Sequence, residues 1–248
     1  MVRDTGSGLQ IKGIAKMKSV KLAAAAATAT AVLAFGAAAQ AQDAPSVSFN
    51  VGAASDYMFR GISQTDSKAQ VYGGADLGIG TFYAGVWLSN VDFGSDHVEY
   101  DLYAGFKPTL GPVALDVALL RYGYTNQESG DNFDFWEAKL AGSVPAGSGT
   151  IGAAVFYTPE NFGKTGQATY VEVNGSVPLM DKVSVSGAIG HQALKGDGDY
   201  ETWNLGVGYA INDVFGLDLR YWDTNIKKSD DPSKITSGRV VVCLKAAF

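Results

Sequence analysis

The chain has 248 residues, of which 46% are hydrophobic and 18% are charged, and its formal net charge at pH 7 is −6. Residues 1–41 hold five bases and one acid, so the remaining 207 residues carry 14 bases against 24 acids, a net charge of −10. This acidic balance argues against nucleic acid as a partner. The only cysteine is Cys243, which excludes an intrachain disulfide.

The N-terminal segment is typical of an export signal. A short basic stretch precedes the apolar core LAAAAATATAVLAFGAAA, and Ala39-Gln40-Ala41 forms an A-x-A cleavage site. Met17 stands directly before the basic stretch, so residues 1–16 read as an upstream extension. A retained membrane anchor is the weaker alternative, because the core is rich in alanine and ends in small residues. We therefore predict a cleaved signal peptide within residues 1–41 and a single domain over 42–248.

The mature sequence is dominated by period-two alternation, with Gly, Pro, Asn and Asp clusters between the alternating runs. No mature segment approaches the roughly 18 to 20 apolar residues of a spanning helix. An exported protein of this kind could cross a membrane only as a closed β-barrel. We count twelve runs, at about 46–57, 68–78, 81–89, 98–107, 112–122, 133–143, 149–157, 167–177, 182–191, 200–210, 213–223 and 237–248.

The connections between these runs alternate in length. Tight turns such as IG and IN alternate with long polar segments such as MFRGISQTDS, NVDFGSDH and TNIKKSDDPSKI. Short turns on one side and long loops on the other are the layout of an outer-membrane barrel, with both termini on the turn side. The predicted fold is therefore an all-β, transmembrane antiparallel barrel of about twelve strands, with short periplasmic turns and long extracellular loops.

The two faces of the runs differ in chemistry. One face is aliphatic, as in Val113, Leu115, Val117 and Leu119, and the other carries the charges. A soluble barrel or sandwich would alternate in the same way, with its apolar face inward. If the apolar face contacts lipid, the charged face lines the lumen, and the pore-lining candidates are Asp56, Arg60, Asp76, Glu99, Asp101, Lys107, Asp116, Glu137, Lys139, Glu172, Asp218, Arg220, Arg239 and Lys245.

Aromatic residues favour the membrane alternative. On the apolar face they fall at the two ends of the runs and bracket an aliphatic band, as the girdles of a barrel in lipid do. The turn-end ring is predicted to contain Phe49, Phe82, Phe106, Tyr209, Phe215 and Phe248, and the loop-end ring Tyr57, Tyr100, Trp136, Tyr157, Trp203 and Tyr221.

The stretch SDYMFRGISQT begins the first long loop. Strand phase places Tyr57 in the outer girdle and directs Asp56 and Arg60 toward the lumen, where they could form an ion pair. Two interpretations remain open for this pair: it pins the loop to the barrel wall, or it lines a constriction.

The same residues carry a family resemblance. The core Ser55-Asp56-Tyr57-Met58-Phe59-Arg60-Gly61-Ile62-Ser63-Gln64 resembles the N-terminal signature of the TorF-type porins, a family of bacterial outer-membrane barrels. The resemblance is specific over residues 46–93. After residue 93, only the layout of strands, turns and loops is similar. It implies an outer-membrane barrel and a pore, and it supplies neither a substrate nor catalytic residues.

Other chemistry has little support in the sequence. GSGTIG matches the dinucleotide fingerprint G-x-G-x-x-G, but an alternating run follows it where that fold needs a helix. His97 and His191 lack metal-ligand spacing, and the acids Asp197, Asp199 and Glu201 lack EF-hand spacing. An outer-membrane hydrolase would need a serine and an orienting group beside His191, and nothing singles them out. We predict no enzyme, metal or cofactor.

The sequence thus predicts a porin-like channel in a bacterial outer membrane, passive and weakly cation-selective, for small hydrophilic solutes. The alternative is a non-conducting structural or adhesive barrel, because bulky inward side chains could plug the lumen: Tyr72, Tyr83, Trp87, Tyr103, Phe135 and Tyr170. The expected partners are outer-membrane lipid and lipopolysaccharide, and the barrel-assembly machinery through the C-terminal strand ending in Phe248.

The signal peptide gives a first test. Because the A-x-A site precedes Gln42, protein purified from outer membranes is expected to begin at Gln42 or within a few residues of it. Intact-mass measurement or N-terminal sequencing checks this expectation. Recovery of the full 248-residue chain from that membrane would contradict it.

Overall fold

The structure, a computed structural model, describes residues 44–93, 96–128, 130–196 and 198–248. The predicted signal peptide lies outside the described residues. Besides short 3₁₀ turns at Phe162–Lys164 and Lys228–Asp230, the described residues form twelve long strands. These are β1 (Ser46–Ala54), β2 (Gln70–Ile79), β3 (Phe82–Asp92), β4 (Asp96–Phe106), β5 (Val113–Tyr124), β6 (Phe135–Ala146), β7 (Gly149–Thr158), β8 (Ala168–Met180), β9 (Val183–Leu194), β10 (Tyr200–Ala210), β11 (Phe215–Thr224) and β12 (Arg239–Ala247).

The twelve strands close into a ring. Each pairs antiparallel with the next one along the chain, and β1 pairs with β12, with Asn50 opposite Ala247 and Ala54 opposite Cys243. Phe49 and Phe248 exchange two backbone hydrogen bonds of 3.0 Å at the same seam. Closure leaves no sheet edge with unpaired backbone groups. The predicted twelve-stranded antiparallel barrel is confirmed.

The connections have the predicted two-sided layout, with one difference. Two-residue turns follow β2, β6 and β8, whereas the first, third and sixth loops are long. The second loop was predicted over 90–97, but β3 and β4 extend into it and pair as far as Asp92 opposite Asp96, which leaves a three-residue connection. The polarity of these residues predicted a loop, but backbone pairing between β3 and β4 continues through most of them.

No helix in the described part of the chain is both long and apolar enough to span a membrane.

The outer surface of the barrel is apolar, as the alternation predicts. Leu205, Val207, Leu217 and Leu219 on two neighbouring strands are exposed. All six aromatics assigned to the turn-end ring are exposed, from 36% for Phe106 to 65% for Phe248. At the loop end Trp136, Tyr157 and Trp203 are exposed and Tyr100 and Tyr221 are half-buried, but Tyr57 is not part of this ring.

Glycines let large inward side chains lie against the barrel wall. Tyr103 lies opposite Gly85 and Tyr83 opposite Gly105 in the β3–β4 ladder. A Cβ atom at Gly85 or at Gly105 would lie 2.5 Å from the facing tyrosine ring. The missing side chains therefore make room for two rings that would otherwise project into the lumen.

The contrast between the two faces can be measured directly. Val207 is exposed on the outer face, and Ser184 lies on the inward face of the neighbouring strand at the same depth, since Ser184 pairs with Gly208. Val207→Arg should destabilise the barrel by about 2 to 4 kcal/mol in a lipid bilayer, and Ser184→Arg should cost much less. Urea unfolding in liposomes measures both variants, and equal costs would contradict the assignment of the faces.

Candidate functional site in the barrel lumen

The first loop folds into the barrel instead of standing above it. Residues 55–69 leave β1 at Ala54 and form a short hairpin, in which Met58–Phe59 pairs with Ile62–Ser63. Arg60 and Gly61 make its two-residue turn with positive φ values of 45° and 83°. A turn of this kind favours glycine at its second position, because both central residues are left-handed. We call residues 55–69 the lumen hairpin.

Arg60 forms the tip of the lumen hairpin and reaches the opposite wall. Its guanidinium donates to both carboxylate oxygens of Glu137 on β6 at 2.8 and 2.9 Å, and to the Gln192 side-chain oxygen on β9 at 2.9 Å. It also lies 4.3 Å from the ring centre of Tyr170 and 5.1 Å from that of Phe156. Burial alone would lower the pKa of Arg60, but the charge of Glu137 and its hydrogen bonds raise that pKa above its ordinary value. The tip is thus a buried ion pair, in which one guanidinium nitrogen donates to both carboxylate oxygens.

Asp56 fixes the base of the lumen hairpin. Its carboxylate accepts hydrogen bonds from Arg239 on β12 at 2.6 Å, from the Ser63 hydroxyl at 2.6 Å and from the Thr65 hydroxyl at 2.8 Å. The predicted ion pair between Asp56 and Arg60 is therefore wrong, because each residue pairs with a different strand. The hairpin turn carries Arg60 across the lumen and away from Asp56.

The assignment of Tyr57 to the outer girdle is also wrong. Tyr57 is 2% exposed, its hydroxyl donates to Glu99 at 2.7 Å, and its ring stands edge-on to Trp87 at a centroid distance of 5.4 Å. The alternation that directed it outward holds only while the strand continues. Since β1 ends at Ala54, the phase is lost before Tyr57.

The lumen hairpin is packed on nearly every side at the loop end of the barrel. Phe59 and Tyr57 belong to an aromatic cluster with Tyr122, Phe135 and Phe162. Eleven of the twelve strands contribute an inward side chain that is at least nine-tenths buried at this level, and β11 adds the half-buried Trp222. One such residue from each of the eleven is Ala54, Gln70, Ser89, Glu99, Tyr122, Glu137, Thr158, Tyr170, Gln192, Thr202 and Val241.

Two buried polar atoms at this level have no hydrogen-bond partner among the described residues, namely one carboxylate oxygen of Asp101 and the Gln64 side-chain oxygen. The Glu99 carboxylate faces the hydroxyl groups of Tyr57 and Tyr124. Glu99 and Asp101 are 0% and 4% exposed on neighbouring inward positions of β4. Two carboxyl groups are therefore buried next to each other on the wall that faces the lumen hairpin.

The turn end of the lumen is more open, and its charges are mostly paired. Asp116 accepts hydrogen bonds from Tyr83 at 2.7 Å and from Lys139 at 2.8 Å, and Asp76 accepts one from Tyr103 at 2.6 Å. Of the other predicted lumen residues, Asp218 and Arg220 form an ion pair with a distance of 3.0 Å. The Glu172 carboxylate accepts hydrogen bonds of 3.0 Å from Tyr170 and Asn174. The Lys107 ammonium lies 4.3 Å from the Tyr83 ring centre, and Lys245 is half-buried on β12.

Strand phase did not predict the lumen hairpin. Two local features indicate such a hairpin: the pair Arg60-Gly61, which suits a tight hairpin turn, and the dense mixture of aromatic and polar residues around it. That mixture resembles the top of a strand as closely as it resembles a buried loop. Only the contacts with Glu137 and Gln192, which are 77 and 132 residues away in sequence, distinguish the two.

The two histidines take unrelated positions. His97 is buried at 3% exposure, with its Nδ1 atom 2.5 Å from the carbonyl oxygen of Thr125, and His191 is exposed, 4.0 Å from Asp199. Within the described ranges, no group of three or more His, Cys, Asp or Glu side chains could hold a metal ion. Asp197, from the acid-rich loop, lies outside the described residues.

The barrel is similar to solved outer-membrane porins. A structure titled "KdgM porin" has a TM-score of 0.55 and 7% sequence identity, over 81% of this chain and 98% of that chain. A second, "KdgM porin in complex with disordered oligogalacturonate", has a TM-score of 0.56 and 7% identity, over 83% of this chain and 99% of that chain. At such low identity the similarity shows the fold alone.

Sequence comparison identifies the family of this chain. No curated protein sequence matches the chain. Residues 38–248, which include the whole barrel, match the model of a family described as "Bacterial protein of unknown function (Gcw_chp)". The chain belongs to this family of bacterial proteins of unknown function.

Proposed function

We propose that this protein is an outer-membrane channel for the passive diffusion of small hydrophilic solutes, as its resemblance to TorF-type porins implies. The observation that carries the proposal is a closed barrel with an apolar, aromatic-ringed exterior and a charged interior. Such an exterior suits lipid, and such an interior suits water and ions. A barrel that only had to be stable would gain from an apolar interior, since buried ion pairs are weak stabilisers.

The proposal places the protein among outer-membrane lipid and lipopolysaccharide. Exposed Phe49, Phe82 and Phe215 would anchor the turn end at one interface, and Trp136 and Trp203 the loop end at the other. The terminal Phe248, paired with Phe49 at the closing seam, would present the last strand to the barrel-assembly machinery.

The lumen charges support weak cation selectivity. The fourteen pore-lining candidates comprise eight acids and six bases, which gives a balance of −2. Four of the acids pair with four of the bases at 2.6 to 3.0 Å: Asp56 with Arg239, Asp116 with Lys139, Glu137 with Arg60, and Asp218 with Arg220. Mutual neutralisation weakens the field, so the residual preference for cations should be small.

The net negative charge of the pore-lining candidates argues against a binding site for acidic saccharides in this lumen. One similar porin is titled as a complex with oligogalacturonate, which is a polyanion. Fixed negative charge repels anions over about one Debye length, roughly 8 Å at physiological salt. We therefore propose neutral or cationic solutes for this channel.

One observation favours a second function, that of a non-conducting structural barrel. The lumen hairpin fills the loop end, and the side chains around it are almost completely buried. If that packing were permanent, the barrel would expose its loops at the cell surface without conducting ions. An outer-membrane hydrolase gains no comparable observation, since His191 is exposed, lies 4.0 Å from Asp199 and has no serine hydroxyl bonded to it among the described residues.

Conductance separates the two functions. Purified protein in planar lipid bilayers should give discrete single-channel currents in KCl each time the lumen hairpin moves out of the loop end, because the rest of the lumen is polar and partly exposed. A heat-unfolded sample of the same preparation is the control for detergent artefacts. Silent bilayers at protein amounts at which a known porin conducts would contradict the channel and favour the structural barrel.

Ion preference tests the electrostatic argument. In a KCl gradient the reversal potential should indicate modest cation selectivity, which weakens as salt rises, because screening shortens the range of the lumen charges. Asp76→Lys should shift the reversal potential toward anion selectivity, since Asp76 lies in the more open turn end and is held by a neutral tyrosine. Asp213→Lys, in a turn outside the lumen, is the control. A wild-type channel that prefers anions would refute this argument.

A further inference from the structure

We propose that the lumen hairpin is a gate and that the ion pair between Arg60 and Glu137 is the latch that holds it closed. This inference rests on the proposed channel function and deepens it. In the structure the hairpin crosses the barrel from its base at β12 to contacts on β6 and β9. A channel built on this barrel can conduct only when that segment moves.

The contacts divide the hairpin into a fixed base and a releasable tip. The base is held three times over, by Asp56 with Arg239, by the Ser63 amide donating to the Ile235 carbonyl oxygen at 2.8 Å, and by the Asp92 amide donating to the Gln64 carbonyl oxygen at 2.8 Å. At the tip, the hydrogen bonds to the far wall all come from one side chain, the Arg60 guanidinium. Loss of that one group removes the polar attachment of the tip to the far wall, while the base stays attached.

The closed state also carries features that oppose it. Arg60 occupies a left-handed conformation, with φ at 45°, which a side chain with a Cβ atom disfavours. Two carboxyl groups, Glu99 and Asp101, are also buried side by side on the wall that the hairpin covers, at 0% and 4% exposure. Burial of carboxyl groups is costly, and movement of the hairpin would return both groups to water. The latch therefore opposes a set of forces that favour opening.

Inward side chains are more accessible at the turn end of the lumen than at the level of the hairpin. The inward charges of the turn end, such as Asp116 and Lys139, are partly exposed, with side chains 20% and 13% accessible. Inward side chains at the level of the hairpin, such as Glu99 and Thr202, are nearly inaccessible. Release of the tip would join this turn-end chamber to the loop side of the barrel.

Thr202 reports the position of the tip without any measurement of current. It is 2% exposed, and a Cβ atom at Gly61 would lie 2.4 Å from its hydroxyl oxygen, so the hairpin turn covers it directly. In a Cys243→Ser, Thr202→Cys background, a small charged thiol reagent should label the new cysteine slowly. Adding Glu137→Gln should accelerate labelling by about tenfold or more, because one partner of a buried ion pair is lost. The same variant should conduct more, through longer or more frequent openings.

Two further variants keep the test decisive. Arg60→Gln breaks the latch from the hairpin side and replaces Glu137→Gln if that variant fails to fold, as judged by heat-modifiable gel migration. Asp134→Asn is the matched control, because it neutralises an ion-paired carboxylate whose partners, Arg121, Gln127 and the Tyr124 amide, lie outside the hairpin. It should leave labelling unchanged.

The outcomes separate the gate from the channel. Fast labelling and raised conductance in the latch variants alone would support both. Equal labelling in the background, latch and control proteins would overturn the gate, even if the barrel conducts. Fast labelling in latch variants that stay silent in bilayers would support the latch as a structural contact and overturn the channel on which the gate depends.

Discussion

The structure depends on one constraint, that no backbone amide or carbonyl group may be left unpaired in a hydrocarbon environment. Twelve strands meet it by closing on themselves, and the pairing of β1 with β12 is the step that removes the last open edge. Closure sets the rest of the architecture. It fixes an apolar face outward and a polar face inward along every strand, and it brings residues far apart in sequence to one central space.

That central space is polar, yet it is ordered. Tyrosine hydroxyls and basic side chains hold most of the inward carboxylates, as Tyr103 holds Asp76 and Lys139 holds Asp116. Removing charges from water is costly, and partners at hydrogen-bonding distance offset part of that cost. The result is a lumen with many charges and a small net field. Such a lumen suits weak selectivity better than tight binding of one solute.

The lumen hairpin covers the polar wall at the loop end of the barrel. A barrel wall lined with buried Glu99, Glu137 and Gln192 would be an open polar surface without it. With it, the same residues become the wall of a packed core around Arg60 and Tyr57. Because the hairpin belongs to the loop between the first two strands, the chain fills the loop end of its own lumen with the segment that has the most distinctive sequence.

The sequence by itself determined the barrel. Period-two alternation, tight turns such as Gly147-Ser148 and the aromatic rings follow from local rules, since each strand residue faces either lipid or lumen whatever its distant neighbours are. Only the tertiary structure decided the course of residues 55–69. Strand phase ends where the strand ends, at Ala54, and beyond it the direction of Tyr57 and the partner of Arg60 depend on side chains from β4, β6 and β9. Those strands come together only when the ring closes, and no local pattern records which of their groups a loop will meet.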